Sequence, residues 1–525
     1  MRKAASLFLL ALFYTALGLV VAEGVVRLAR AAPPAEPPGW FWKVPDPLTG
    51  WSLLPNSQGR NYNPLYEYDV HFAVNSRGLR APESLTYEKA EGVYRILVLG
   101  DSFIEAAQVE LEESLPQQLA RLIQAETGLR VEAINAGVGG WGTDQQLLWL
   151  REEGYKYRPD LVLLAFFPRN DFLNNSEPLE SGNRGAIIKP FFTLEEGELR
   201  LKYFPFDPDR VPPVERPLEV MVEPVPPGPL TRVGRWLKAR SALYRYVDPR
   251  LRLMAPRLAA RLARLGLMEP GQESKLAAQP PDYIPPTYNI YRPELDETWQ
   301  EALVLTQALL EELQATAASM DAPLAGILVT ASEQVYPEEW AEILARHPAM
   351  QGQSWDREAS VRRALDVFRA AGIPVLDLGP TFRQVAEEGP LLHFEDDGHW
   401  TPAGHALAAR ATFNFLAAQG LVPGLEGRTV PVRLPQAPRG LWEWFVLGIG
   451  ALLVGSLAWD MLRTGPLRWL GKVGSGLSTA GELLVYLVRR RQVALLPLVI
   501  VLLLFAGLLI LAQASVVGPF IYTLI

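Results

Sequence analysis

The sequence predicts an α/β fold, a parallel sheet covered by helices on both faces, joined to three membrane-spanning helices. Five apolar runs, at 94–99, 130–135, 160–167, 323–329 and 373–378, alternate with helical periodicity at 114–127, 142–156, 297–319, 358–371 and 402–418. Strands apolar on both sides belong to a parallel sheet buried between helix layers. Three further stretches, at 4–22, 441–461 and 494–512, are apolar. Each has about the length that crosses a hydrocarbon core of roughly 30 Å.

Arg2 and Lys3 precede the first apolar stretch. Val20-Val21-Ala22 would pass as a signal cleavage site, but the stretch is long for a signal core and continues as a helix past Glu23. Residues 1–30 therefore read as an uncleaved transmembrane anchor. Residues 31–48, rich in Pro and Trp, read as a linker. Residues 49–83 alternate loosely and hold the turn signal Asn75-Ser76-Arg77-Gly78. Together, 31–92 form a linker and a small β-element ahead of a main domain at 93–430.

Residues 175–296 separate the third strand from its next helix, with Pro-rich segments at 204–230 and 279–293. A structureless insert of that length is disfavoured inside a compact domain, so a subdomain or lid is expected. Its middle, Arg232 to Arg264, holds ten Arg and Lys residues and one acid, Asp248. That composition fits a solvated helical pair, or a surface for anionic lipid headgroups or an acidic glycan.

Residues 438–525 form a C-terminal membrane module holding the other two spans. Between them lie Arg463, Arg468, Lys472, Arg489, Arg490 and Arg491, which place that loop in the cytoplasm. The basic N-terminus belongs there too, so residues 24–440 face away from the cytoplasm. The expected location is the inner (cytoplasmic) membrane, multi-pass, with the large domain on the extracytoplasmic or periplasmic side. The net charge of −8 excludes a generic nucleic-acid binder. The absence of cysteine excludes disulfides, thiolate metal sites and thiol catalysis.

The chemistry-bearing residues stand at strand ends. Gly100-Asp101-Ser102-Phe103 closes the first strand and leads into a helix, where open α/β sheets place their chemistry. The second strand ends in Asn135-Ala136-Gly137-Val138-Gly139-Gly140-Trp141-Gly142, a glycine-rich turn that lets backbone N–H groups approach a ligand. The third ends in Pro168-Arg169-Asn170-Asp171. After the fifth comes Asp396-Asp397-Gly398-His399-Trp400-Thr401-Pro402. This is a parts list for acyl transfer: a serine nucleophile, a histidine base, a carboxylate to orient it, and donors for an oxyanion.

Blander roles compete for each residue. Ser102 could cap the next helix. Gly137 or Gly139 could be the donor in place of Gly140, and Asn170 could bond only its own loop. Asp397 competes with Asp396 as the partner of His399; Asp396 is preferred because Asp397 is judged too close along the chain to reach back. His405 follows a helix start and reads as structural. His71 and His347 read as surface or packing residues. His393 and His399 with Asp396 lack further ligands, so no metal and no cofactor are expected.

The ordered set resembles the SGNH (GDSL-like) hydrolase family over residues 93–420, outside the 175–296 insert. The resemblance rests on Gly100-Asp101-Ser102, Gly140, Asn170, and Asp396 with His399. It implies a flavodoxin-like doubly wound sheet, a catalytic set of Ser102, His399 and Asp396, and an oxyanion hole from Ser102, Gly140 and Asn170. Arg169, Asp101 and Trp141 are candidate substrate contacts. Residues 46–80, with Asp46, Gly50, Trp51, Pro55, Asn56, Asn75, Gly78 and Arg80, resemble the front of membrane-anchored bacterial members, which are often linked to modification of envelope polysaccharide. The third block departs from the family's Gly-x-Asn-Asp, because Pro168 stands at the glycine position. From Gly481 onward the chain resembles a small uncharacterised family of bacterial membrane proteins.

The expected function is a membrane-anchored, extracytoplasmic serine O-acyl esterase or acyltransferase acting on envelope or exported polysaccharide. Its expected partners are an acylated glycan or lipid substrate, the membrane and an integral-membrane protein, with no nucleic acid. The alternative is a non-catalytic subunit that binds glycan or lipid within a membrane biosynthetic complex.

Overall fold

The computed structural model describes residues 18–28, 42–63, 67–212, 230–254, 256–268, 282–387 and 389–433. The described residues fall into two compact units. The larger comprises 37–227 and 270–435; the smaller includes 228–269 and the N-terminal helix. The expected single insert at 175–296 is therefore divided, and only its basic middle leaves the larger unit.

The larger unit is organised by five parallel strands: β5 (Val93–Gly100), β6 (Arg130–Gly137), β7 (Leu161–Phe166), β10 (Leu324–Leu328) and β11 (Val375–Asp377). They pair in the order β11-β10-β7-β5-β6. The chain thus moves outward from β5 to β6, then returns to the other side of β5 for β7. The resulting order is that of a flavodoxin-like doubly wound sheet, and the crevice at the switch point opens at the carboxyl ends of β5 and β7.

Strand alternation divides the core into two layers. In β7, Val162, Leu164 and Phe166 face one layer, and Leu161, Leu163 and Ala165 face the other. Helices α1 (Leu115–Thr127) and α5 (Pro402–Ala418) cover the second face and pack on each other. Helices α2 (Thr143–Glu152), α3 (Glu297–Ala318) and α4 (Ala359–Ala370) cover the first. Each fully buried Leu or Ile contributes about 1.5–3 kcal/mol, so the two layers dominate the stability of the sheet.

Ahead of this sheet stand two antiparallel ribbons: β1 (Lys43–Asp46) with β2 (Gly50–Leu53), and β3 (Gln58–Tyr62) with β4 (Asp69–Ala73). Trp42, Leu53 and Phe72 bury into the first layer. The small β-element is thus part of the main core. A hairpin of β8 (Phe191–Glu195) and β9 (Glu198–Lys202) follows in the region read as an insert.

The smaller unit holds the helix over 18–28 and three basic helices, Thr231–Arg240, Ala242–Met254 and Pro256–Leu265, and the first of these four meets the junction of the next two. Glu23 accepts the N–H groups of Ala242 and Leu243, each at 2.9 Å, and the Ser241 hydroxyl at 2.7 Å. A carboxylate there satisfies orphan donors and the helix dipole together. Arg27 bonds Glu23 at 2.6 Å and donates to the Arg240 carbonyl. Among the described residues no helix is long and apolar enough to cross a membrane. The expected spans at 441–461 and 494–512, and residues 4–17 of the first, lie outside the described residues.

Candidate active site

Ser102 opens a one-turn helix, Ser102–Glu105, directly after β5. The Asp101 carboxylate caps that turn by accepting the Phe103 N–H at 2.9 Å. Ala106 ends it in the left-handed region, at φ 54°. Gly137, at the end of β6, lets the turn lie close, since a Cβ there would stand 2.3 Å from the Glu105 nitrogen. From behind, the fully buried Arg80 donates to the carbonyls of Glu105 (2.9 Å), Ala106 and Val109. The hydroxyl is therefore presented at the carboxyl edge of the sheet on a braced turn.

His399 approaches from the loop before α5. Its Nε2 lies 2.7 Å from Ser102 Oγ, and its Nδ1 lies 2.6 Å from Asp397 Oδ1. The Phe103 ring packs on the imidazole at 4.7 Å between centroids. Burial works to lower the His399 pKa, but the Asp397 carboxylate beside it outweighs burial and raises it above 6.5. Burial likewise pushes Asp397 up, yet His399 and the Tyr68 hydroxyl bring it below its ordinary value.

The partner of His399 is thus Asp397, and the preference for Asp396 is corrected. Gly398 takes φ +78°, which reverses the chain so that side chains two apart meet on one side. The loop is closed by Gly398 N–H on the Phe394 carbonyl (2.9 Å) and by Phe394 N–H on the His399 carbonyl (2.8 Å). Asp396 instead turns away and accepts from Asn63 Nδ2 at 3.2 Å.

The three candidate glycines differ in what their N–H groups do. Gly137 donates to Asn135 Oδ1 at 3.0 Å, and Gly139 donates to the Glu105 carboxylate. Gly140 has no such partner among the described residues and sits at φ +84° in the turn closed by Trp141 N–H on the Val138 carbonyl, 3.0 Å. Lys43 Nζ and Trp51 Nε1 hold the Gly139 carbonyl at 2.9 and 3.1 Å, which fixes that turn from the β1–β2 ribbon.

Pro168 occupies the second position of a turn closed by Asn170 N–H on the Phe167 carbonyl at 3.1 Å. That position favours the fixed φ of proline and requires no N–H. Asp171 Oδ2 tightens the loop by accepting Phe167 N–H at 2.8 Å. Burial, then the neighbouring Asp101, push Asp171 well above the carboxylate range. Asn170 donates one amide N–H to Asp101 Oδ2 at 3.3 Å. Its second amide hydrogen has no partner among the described residues.

The three candidate substrate contacts are placed otherwise. Asp101 is fully buried and Trp141 is 1 % exposed, with its indole N–H on the Trp51 carbonyl at 2.9 Å. Both are corrected to supporting roles, since neither surface reaches solvent. Arg169 keeps some exposure, but its Nη1 lies 3.1 and 3.2 Å from the two oxygens of buried Glu333. His393 and His405 are structural: His393 bonds Thr330, and His405 Nδ1 accepts the Leu115 N–H at 3.3 Å. Burial pushes them down to about 4 and about 3.

Several residues that touch the site were not singled out in the sequence. Asn63, Glu67 and Tyr68 meet the acid loop, Glu105 accepts the Gly139 N–H beside the nucleophile turn, and Lys43 braces the Gly139 turn, whereas Arg80, which braces the nucleophile turn, is among the residues of the 46–80 resemblance. No motif marks them; the pairing of Asp and His two residues apart across a glycine was the signal available for Asp397.

The doubly wound sheet carries a Ser–His–Asp chain at its switch point. Residues 296–439 match the family described as "SGNH hydrolase-like domain, acetyltransferase AlgX", a span that includes Asp397 and His399 but not Ser102. Residues 477–525 match a family of unknown function, DUF5989, so the resemblances read at both places hold. No curated protein sequence matches the chain. Among solved structures, TesA is similar at 12% identity, with 62% of this chain and 99% of that one covered and a TM-score of 0.29. A catalytic mutant of Axe2, an acetylxylan esterase from Geobacillus stearothermophilus, is similar at 11% identity, covering 63% and 96%, with a TM-score of 0.29. A lipase/acylhydrolase from Enterococcus faecalis is similar at 14%, covering 62% and 96%, with a TM-score of 0.28.

Proposed function

We propose that the protein is a membrane-anchored serine O-acyl esterase or acyltransferase whose domain faces away from the cytoplasm and acts on acylated polysaccharide. The observation that carries the reading is the continuous chain from Ser102 Oγ to His399 Nε2 (2.7 Å) and from His399 Nδ1 to Asp397 (2.6 Å).

In the proposed reaction, Ser102 Oγ attacks the acyl carbonyl as its proton passes to His399 Nε2. Asp397 stabilises the imidazolium and keeps Nδ1 protonated. The Ser102 and Gly140 N–H groups and the second amide hydrogen of Asn170 receive the oxyanion. Collapse breaks the ester C–O bond, and His399 gives the proton to the departing sugar oxygen, which leaves as a hydroxyl. The acyl-Ser102 ester is then attacked by water, giving an esterase, or by a second hydroxyl, giving a transferase. His399 serves as base again in that step.

A bound catalytic chain supports this reading over that of a purely binding subunit. A fluorophosphonate probe tests it. Wild type should label at Ser102 and Ser102→Ala should not; an unlabelled, folded wild type overturns it.

The membrane assignment rests on the three apolar stretches and the basic loop between the last two. The tie of Glu23 to the basic helices supports a smaller unit built around the anchor, with its arginines near anionic headgroups. The chain has no cysteine, so introduced cysteines report topology cleanly. In spheroplasts, an impermeant maleimide should label Ser354→Cys and spare Ser475→Cys; the reverse pattern overturns the orientation.

A further inference from the structure

The acid loop touches a part of the molecule outside the sheet. Tyr68, where the chain enters β4, places its hydroxyl 3.1 Å from Asp397 Oδ2, the oxygen that His399 does not use. Glu67 accepts the backbone N–H groups of Asp396 and Asp397, at 2.8 and 3.1 Å. Asn63 donates to Glu67 Oε2 at 2.9 Å and to Asp396 Oδ2 at 3.2 Å. The Tyr68 ring packs on Phe394 at 5.2 Å between centroids, in a cluster with Ala106 and Val109 beside the nucleophile turn. One hairpin end therefore grips the backbone of the acid loop, the acid itself and the rear of the serine turn.

We infer that the end of the β3–β4 hairpin is a positioning element of the active site, in which Tyr68 and Glu67, braced by Asn63, hold Asp397 in the orientation His399 requires. The inference rests on the proposed roles of Ser102, His399 and Asp397.

The electrostatics follow from the geometry. A carboxylate oxygen that receives a hydrogen bond carries less effective charge toward its other partner. Tyr68 therefore tempers the hold of Asp397 on the imidazolium. Once ionised, Glu67 acts with the opposite sign, since its negative charge then faces Asp396 and Asp397. Burial, followed by the repulsion of Asp396, raises the Glu67 carboxyl to about 7, against the pull of the two N–H groups. The other charged groups that act on this cluster are Asp101 and Arg169, near His399, and Arg346, near Asp396.

Tyr68→Phe and Glu67→Gln in the full chain test the inference, with acetyl-ester turnover measured against pH. Tyr68→Phe should lower kcat about tenfold with KM within about twofold, as befits a lost hydrogen bond to a charged group. It should also move the acid limb of the profile to higher pH, whereas Glu67→Gln should move it to lower pH. Shifts of opposite sign do not arise from general loosening.

A second measurement is independent of turnover. The chain has 5 histidines, so a histidine-labelled NMR spectrum assigned with His399→Gln gives the His399 midpoint directly. A midpoint in Tyr68→Phe equal to that of wild type overturns the inference, whether or not the enzyme turns over. A shifted midpoint in a wild-type background that never labels with fluorophosphonate upholds the positioning and overturns the proposed reaction instead.

Discussion

The serine turn and the acid loop meet at one hydrogen bond, yet they are held in different ways. The serine turn is built mostly by its own neighbourhood: the β5 exit, the Asp101 cap two residues from its target, and the left-handed Ala106. The acid loop closes its own ends, but the groups that fix Asp396 and Asp397 come from residues about 330 positions away. Short-range turns are specified by residue type and spacing. Long-range grips are specified by whatever the fold brings alongside, and any donor or acceptor of the right reach serves.

The sharpest way to break this comparison is at its meeting point. Ser102→Ala and His399→Ala should each reduce kcat by about 10⁴-fold or more while the melting temperature holds. Equal loss in both marks one catalytic unit. Next comes the identity of the acid. Asp397→Asn should cost about 10³–10⁴-fold in kcat, and Asp396→Asn less than about tenfold. The reverse ranking in an acetyl-ester assay would restore Asp396 as the partner.

The two regions should also differ in stability. Arg80→Ala removes the guanidinium from three buried carbonyls, of which that of Ala106 keeps the Val109 N–H, and should lower unfolding stability by about 3 kcal/mol in a denaturant titration. Gly398→Ala, which places a Cβ at φ +78°, should cost about 1 kcal/mol but reduce kcat disproportionately, because it opens the turn that brings Asp397 to His399.

The smallest effects concern pH. His399 must be neutral to accept the serine proton, and its pKa is raised, so kcat/KM should climb with pH through a midpoint above 6.5. Glu67 is raised from 4.5 to about 7, so its folded form favours the proton. Its stabilising contribution is complete below the unfolded pKa near 4.5 and is lost as pH rises through about 7. Melting temperatures from pH 5 to 8 should fall less steeply in Glu67→Gln than in wild type.

Much of the sheet was legible because its signals are periodic and local. The strand at 94–99 is observed as Val93–Gly100, and the helix at 402–418 as Pro402–Ala418. Ser102 and His399 stood out because each follows a strand or precedes a helix with turn residues beside it. Asp397 is not legible as the partner of His399, because chain proximity alone does not show the left-handed Gly398, which makes a two-residue gap the favourable one. The sequence offers Trp141 and Asp101 as contacts because residue type reports what a side chain can do and leaves open whether it is buried.

What the amino-acid order determined by itself is the alternation of five strands and their helices, and the chemical types delivered to the strand ends. Periodicity and turn chemistry act over a few residues, so they survive without knowledge of the rest. The tertiary structure alone decided which carboxylate faces His399, which glycine N–H has no partner among the described residues, and how Tyr68 and Glu67 come to the acid loop. Those outcomes depend on distances between segments hundreds of residues apart, which the packing of the two core layers sets.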